Sequence, residues 1–169
     1  IEVYALDISE LAIHLTISNA QKLRILNRIH AIHSDLFQKL NHWSPIQFDV
    51  ILTNPPYVRE DEWDLLSPEI CLHEPKEALV AGSDGLDLIR RILIESPGYL
   101  KNQGYLYLEH DSQQTERIAE IASQNDWIHD HVISDYQENL GLQFSFERND
   151  SIILAGRVDR LDGREYYKN

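Results

Sequence analysis

The 169-residue chain contains no methionine and one cysteine, Cys71. A single thiol cannot close an internal disulfide, so the fold must rest on packing, and a reducing, cytoplasmic setting is the expectation. No apolar run approaches the ~20 residues that span a bilayer, and no signal-peptide pattern opens the chain. Positive charge is scarce, with 15 Lys and Arg against 28 Asp and Glu, for a formal charge of −13. A surface that acidic repels phosphate backbones, which disfavours nucleic acid as the main partner. His30 with His33, and His129 with His131, lack a third ligand at useful spacing, and no cysteine pair exists, so no metal site is expected. Neither a Gly-x-Ser-x-Gly elbow nor a Walker-type phosphate loop occurs.

What the chain does have is enough apolar content, 43%, for one globular domain with a sizeable core. It opens at Ile1 directly in a strand pattern, so an upstream segment is expected.

The stretch richest in chemistry is Phe48-Asp49-Val50-Ile51-Leu52-Thr53-Asn54-Pro55-Pro56-Tyr57. Val50, Ile51 and Leu52 form a continuous apolar run that suits a strand buried on both faces of a parallel sheet. Two prolines then stop the strand, since neither donates a ladder hydrogen bond. Asn54 is pushed towards extended backbone by the proline that follows it. The loop therefore lies at the carboxyl end of a strand, where open α/β sheets bind ligands. One amide side chain, prolyl carbonyls and one aromatic ring can together grip a planar polar group. The Asn-Pro-Pro-Tyr tetrapeptide should arise by chance in about one chain in two thousand of this length, which favours a functional loop over an incidental turn.

Val3 to Leu6 reads as a strand ending at Asp7, and Ser9 as the N-cap of a helix to about Lys22, with Ile8, Ala12 and Leu15 on one face. Arg28 to His33 reads as a second strand, followed by Ser34-Asp35-Leu36-Phe37. There a carboxylate can accept from an exocyclic amine, and Leu36 and Phe37 can flank a flat base; Phe37 suits the core equally. Beyond Tyr57, the acidic segment Arg59 to Glu69 suits a short helix in a substrate-facing lid, and irregular chain continues to Gly82. Asp84 caps a helix to about Glu95 with Leu86, Ile89 and Leu93 at helical spacing. Gly98 and Gly104 bracket a turn into a strand at 105–109. Asp111 and Gln114 form a capping box for a helix to about Gln124. Trp127 to Ser134 and Ser151 to Gly156 read as closing strands, joined by a polar hairpin connection or flap over 135–150. The charged segment 158–169 reads as a flexible tail. Alternating strands and helices indicate an α/β doubly wound sheet.

Ala5-Leu6-Asp7, Ser34-Asp35-Leu36-Phe37 and Asn54-Pro55-Pro56-Tyr57 together resemble the catalytic domain of S-adenosylmethionine-dependent methyltransferases. Glu74-Pro75, Ala78-Leu79, Gly82, Asp84-Gly85-Leu86-Asp87 and the strand ending Leu108-Glu109-His110 narrow the resemblance to the HemK/PrmC family, the protein-(glutamine-N5) methyltransferases of peptide chain release factors. That resemblance implies a Rossmann-like class I sheet lacking its first strand and glycine-rich loop, with 1–157 as a partial catalytic domain.

It implies S-adenosyl-L-methionine as cofactor, bound by Asp7 at the ribose, by Asp35 and Leu36 at the adenine, and by Asn54. It implies catalytic roles for Asn54, Pro55 and Tyr57, and a substrate pocket of Asn54, Pro55, Pro56 and Tyr57. The implied partner is a release factor. Without the first strand and glycine-rich loop, the chain alone is expected to bind cofactor poorly and to be inactive. Two other readings stay open: an adenine-N6 DNA methyltransferase, which shares Asn-Pro-Pro-Tyr, and a noncatalytic fragment of a methyltransferase kept for protein contacts.

Overall fold

The computed structural model describes residues 1–42, 46–125, 127–129, 145–148 and 151–154. The chain divides into two compact units, Ile1–Gln47 and Phe48–Asn169. The expected residues 131–134, the 135–144 part of the connection, Gly156 and the 158–169 tail lie outside the described residues.

In the first unit, β1 (Val3–Asp7) and β2 (Ile29–His33) pair in parallel, with Asp7 opposite His33. A parallel pair needs a crossover, supplied by α1 (Glu10–Lys22). Ser9 caps α1 as expected, its hydroxyl accepting from the Ala12 N–H at 3.3 Å. The buried face differs from the sequence expectation. Ile13 and Ala20 are buried and Ile17 half-buried, whereas Ile8 and Leu15 are 69% and 54% exposed. The helix carries two apolar stripes, and the one at 13, 17 and 20 meets β1 and β2. Arg24, at φ 58°, turns the chain out of α1, and a single 3-10 turn, Leu26–Arg28, leads into β2. Arg28 therefore precedes the strand. Tyr4 and His30, directly opposite in the register, stack with ring centroids 4.4 Å apart.

In the second unit, β3 (Phe48–Thr53) pairs in parallel with β4 (Leu100–Leu108). β3 is not buried on both faces: Val50 and Leu52 are 45% and 62% exposed, because side-chain alternation puts both on one uncovered face. β4 starts before the expected turn. Gly104 lies inside it, beside Gln103 at φ 63° and a register shift opposite Phe48 and Val50. Among the described residues, β1 and β3 each have a ladder partner on one edge only.

Between β3 and β4 run a 3-10 segment Glu60–Leu65, the short α2 (Pro68–His73) and α3 (Asp87–Glu95). The acidic segment thus holds the short helix expected of it. Asp84 does not cap α3. The N-cap is Leu86, and the Asp84 carboxylate instead accepts from the Leu86 N–H at 3.2 Å and pairs with Arg90. After β4, the Asp111–Gln114 capping box opens a 3-10 turn that continues into α4 (Thr115–Gln124).

α3 and α4 pack together and close a core of Leu86, Ile89, Ile92, Leu93, Leu106, Leu108, Ile118 and Ile121. Each such side chain contributes about 1.5–3 kcal/mol when fully buried, so this is the unit's main source of stability. β5 (Ile128–His129), β6 (Ser145–Arg148) and β7 (Ser151–Leu154) form an antiparallel set, and β7 lies beside β4. Residues 145–148, expected within a polar connection, are a strand, because Phe146 and its neighbours find ladder partners on both sides.

Candidate active site

The first unit gathers its expected site residues at the carboxyl end of its parallel pair. Asp7 is exposed, and its Oδ1 accepts from the Ser9 N–H at 2.8 Å, which orients the carboxylate beside the start of α1. The Asp7 carbonyl accepts from the Ser34 N–H at 2.9 Å, so the turn after β2 is tied directly to the end of β1. Ser34 is buried, and its hydroxyl donates to the Leu36 carbonyl at 2.8 Å and accepts from the Lys39 N–H at 3.1 Å. That pair of bonds holds Leu36 at φ 45°, an unfavourable conformation for leucine unless its surroundings enforce it. Asp35 and Leu36 are both half-exposed on this turn, and Asp35 accepts from Gln38 at 2.9 Å.

Phe37 is core, 5% exposed, so of the two apolar residues only Leu36 is open to a flat ring. Asp7, Asp35 and Leu36 thus share one end of one small sheet. A carboxylate acceptor beside a half-exposed aliphatic face suits a hydroxyl-bearing sugar and an aromatic base. The chemistry of the donor set therefore fits the ribose and adenine of a nucleoside. The first glycine of the chain is Gly82, in the second unit.

The second unit holds the Asn-Pro-Pro-Tyr loop. β3 ends at Thr53, whose carbonyl accepts from the Glu109 N–H at 3.0 Å, and Asn54 is the first residue beyond the ladder. Asn54 is exposed, and its carboxamide makes no side-chain hydrogen bond among the described residues. Pro55 is buried, while Pro56 and Tyr57 are half-buried, so the loop is anchored on either side of an outward amide.

Tyr57 is held at two points. Its hydroxyl donates to Glu109 Oε1 at 3.3 Å, and its carbonyl accepts from Gln114 Nε2 at 2.8 Å. The next residue, Val58, forms a parallel bridge with Val80, its N–H donating to Leu79 at 2.8 Å and its carbonyl accepting from Ala81 at 2.9 Å. Glu109 and Gln114 are buried polar residues that the sequence alone did not place at the site. Gln114 was legible only as half of a capping box, and Glu109 only through the Leu-Glu-His strand ending. Arg90 beside Asp84 holds that carboxyl below its ordinary range, which keeps it anionic at the turn that Gln114 also contacts.

The acidic segment after Tyr57 is tied down locally. Arg59 pairs with Asp61 at 2.7 Å, and Lys76 Nζ stands 5.6 Å from the centre of the Trp63 ring. Cys71 is half-buried with its thiol donating to the Trp63 carbonyl at 3.5 Å, a structural setting. Among the described residues, no helix is long and apolar enough to cross a membrane.

Residues 1–76 match a family model described as RNA cap guanine-N2 methyltransferase. Along most of its length the chain is similar to a release factor glutamine methyltransferase of Fusobacterium nucleatum. The two are 36% identical over 166 residues, covering 96% of this chain and 42% of that protein. It is also similar to a ribosomal protein uL3 glutamine methyltransferase of Francisella tularensis, at 41% identity over 108 residues, covering 64% of this chain and 33% of that one. The chain spans about a third to a half of the length of the curated relatives it matches. A solved ribosomal protein L11 methylase from Lactobacillus delbrueckii superposes with a TM-score of 0.55 at 16% identity, over 87% of this chain and 57% of that one. That likeness shows the fold: an α/β, Rossmann-like sheet.

Proposed function

The chain belongs to the HemK/PrmC family of protein-glutamine methyltransferases, and from that premise we propose that the intact protein methylates the side-chain amide nitrogen of a glutamine in a peptide chain release factor. The observation that carries this reading is Asn54: an exposed carboxamide with no side-chain hydrogen bond among the described residues, on a loop anchored by Pro55 and Tyr57. The alignment with a release factor glutamine methyltransferase over 96% of the chain supports it.

Asp7, with Asp35 and Leu36, would hold S-adenosylmethionine at its ribose and adenine. When bound, that cofactor supplies a methyl group on a sulfonium. Every other contribution comes from the chain itself. A glutamine amide is a poor nucleophile because its nitrogen lone pair is delocalised into the carbonyl. The Asn54 side-chain oxygen and the Pro55 carbonyl each accept one N–H of the substrate amide, orienting its nitrogen and stabilising the positive charge that grows there. The Tyr57 ring, with Pro56, packs on the amide plane. Fixed acceptors and proximity, rather than a strong base, drive the displacement. The amide nitrogen gives up its proton to solvent water as or after the methyl arrives.

A nucleobase amine is the second reading, because residues 1–76 match an RNA methyltransferase model and an exocyclic amine is also a planar NH₂. The charge of −13 weighs against a nucleic-acid acceptor, and so does the alignment with glutamine methyltransferases well beyond residue 76. The test is to incubate the protein, expressed from its complete reading frame, with labelled S-adenosylmethionine and separately with a release factor, a ribosomal protein, RNA and DNA. Label on a release-factor glutamine is expected. Label on a nucleobase alone would overturn the assignment.

A further inference from the structure

We propose that Gln114 is a positioning residue for the reaction, holding the Asn54–Tyr57 loop in its working geometry through the main chain of Tyr57. Its carboxamide nitrogen donates to the Tyr57 carbonyl at 2.8 Å and to the Asp84 carbonyl at 3.2 Å, using both of its N–H groups. Its oxygen accepts from the Asp111 N–H at 3.4 Å. One buried side chain, 9% exposed, therefore ties three segments together: the loop after β3, the turn before α3 and the start of α4.

The space around it is full. Gly85 sits at φ +72°, and a β-carbon there would stand 2.5 Å from Gln114 Nε2 and 2.2 Å from the Tyr57 carbonyl oxygen. That close approach lets the Tyr57 carbonyl reach the amide. Glu109 holds the same residue from its other end, accepting from the phenol at 3.3 Å. Tyr57 is thus fixed at main chain and side chain by two residues of the β4–α4 corner, and Asn54, three residues earlier, inherits that placement through two prolines.

The capping role and the positioning role separate chemically. Gln114→Glu keeps an oxygen for the Asp111 N–H but loses both donations and sets carboxylate oxygens against two carbonyls. The inference rests on the proposed transfer reaction for its effect on rate, and on geometry alone for its effect on the loop. Two measurements on the full-reading-frame protein keep these apart. Hydrogen–deuterium exchange should speed up in a peptide spanning residues 54–60 of Gln114→Glu, with α4 unchanged. Turnover should fall about ten- to a hundredfold, the scale of a misplaced reacting group, with a larger change in kcat than in KM for S-adenosylmethionine.

Unchanged exchange over 54–60, or wild-type turnover, would overturn the positioning role. If the wild-type protein itself methylates no glutamine, the reaction assigned above fails, and the exchange arm still decides the tie. Should Gln114→Glu not fold, Gln114→Met, which removes the donors and the Asp111 acceptor without adding charge, is compared with Asp111→Ala, which loosens only the cap. Faster exchange over 54–60 in the first alone is expected, and equal exchange in both would overturn the tie.

Discussion

The hydroxyl of Tyr57 donates to Glu109 Oε1 at 3.3 Å, and the Glu109 N–H donates to the Thr53 carbonyl at 3.0 Å, so the two ends of the Asn-Pro-Pro-Tyr loop are fastened to one residue. The phenol is therefore engaged within the protein, and under the proposed reaction the role toward substrate falls to the ring. Tyr57→Phe should lose about 1 kcal/mol in urea denaturation, the net worth of one hydrogen bond. Its turnover should stay well above that of Tyr57→Ala. Equal rates for the two variants would shift the role from ring to hydroxyl.

Asn54 is exposed and makes no side-chain hydrogen bond among the described residues, so replacing it costs the fold little. Asn54→Ala should unfold within about 0.5 kcal/mol of wild type. Turnover should drop by about a hundredfold or more, comparable to deleting one oriented polar contact in an active site. Steady-state kinetics on the full-reading-frame enzyme, with a melting curve alongside, make the comparison. Wild-type turnover would refute the assigned contact.

Gly85 should tolerate nothing larger. Gly85→Ala must place a methyl 2.2 Å from the Tyr57 carbonyl oxygen at a φ of +72°. Strain at positive φ alone costs about 1–2 kcal/mol, and the clash adds to it. The expected result is a stability loss above about 2 kcal/mol, together with reduced turnover as the loop shifts. A circular-dichroism melt that matches wild type would show that the turn relaxes freely.

His110 is 1% exposed, and burial pushes its pKa down to about 4, against a contribution from the Asp111 carbonyl, which it meets at 2.7 Å. The folded protein thus keeps this imidazole neutral where the unfolded chain, near pKa 6.5, takes up a proton. Between those two values the unfolded state binds more protons, so stability falls as pH drops from about 6.5 to about 4 and is fully present above that window. The loss from this one residue reaches about 3 kcal/mol. Urea midpoints measured from pH 7 to pH 4.5 should show that slope, and His110→Gln should flatten it. An unchanged slope in the variant would assign the acid sensitivity to other groups.

Local signals read well where the physics is local. Ser9 caps α1, Asp7 ends β1, the prolines stop β3 at Thr53, and Asp111 with Gln114 closes a capping box. Each depends on neighbours within about four residues, which the sequence displays directly. The failures share a cause as well. Helix α1 shows two apolar stripes, and nothing within it says which one the sheet will cover. The run Val50-Ile51-Leu52 announces a strand without stating how many of its faces are covered. Asp84 has the composition of a cap, but Arg90 and the Leu86 N–H claim its carboxylate.

From residue order alone came the family pattern, the α/β class and the stiff corner that presents Asn54. Those are properties of short segments, whose preferences survive in any surroundings. Only the folded arrangement could reveal that Gln114 and Glu109 grip Tyr57, because they lie 57 and 52 residues away from it. A hydrogen bond has direction and reach, and neither is written in the spacing between such distant residues. Packing of the second unit's core sets both, and with them the geometry of the loop.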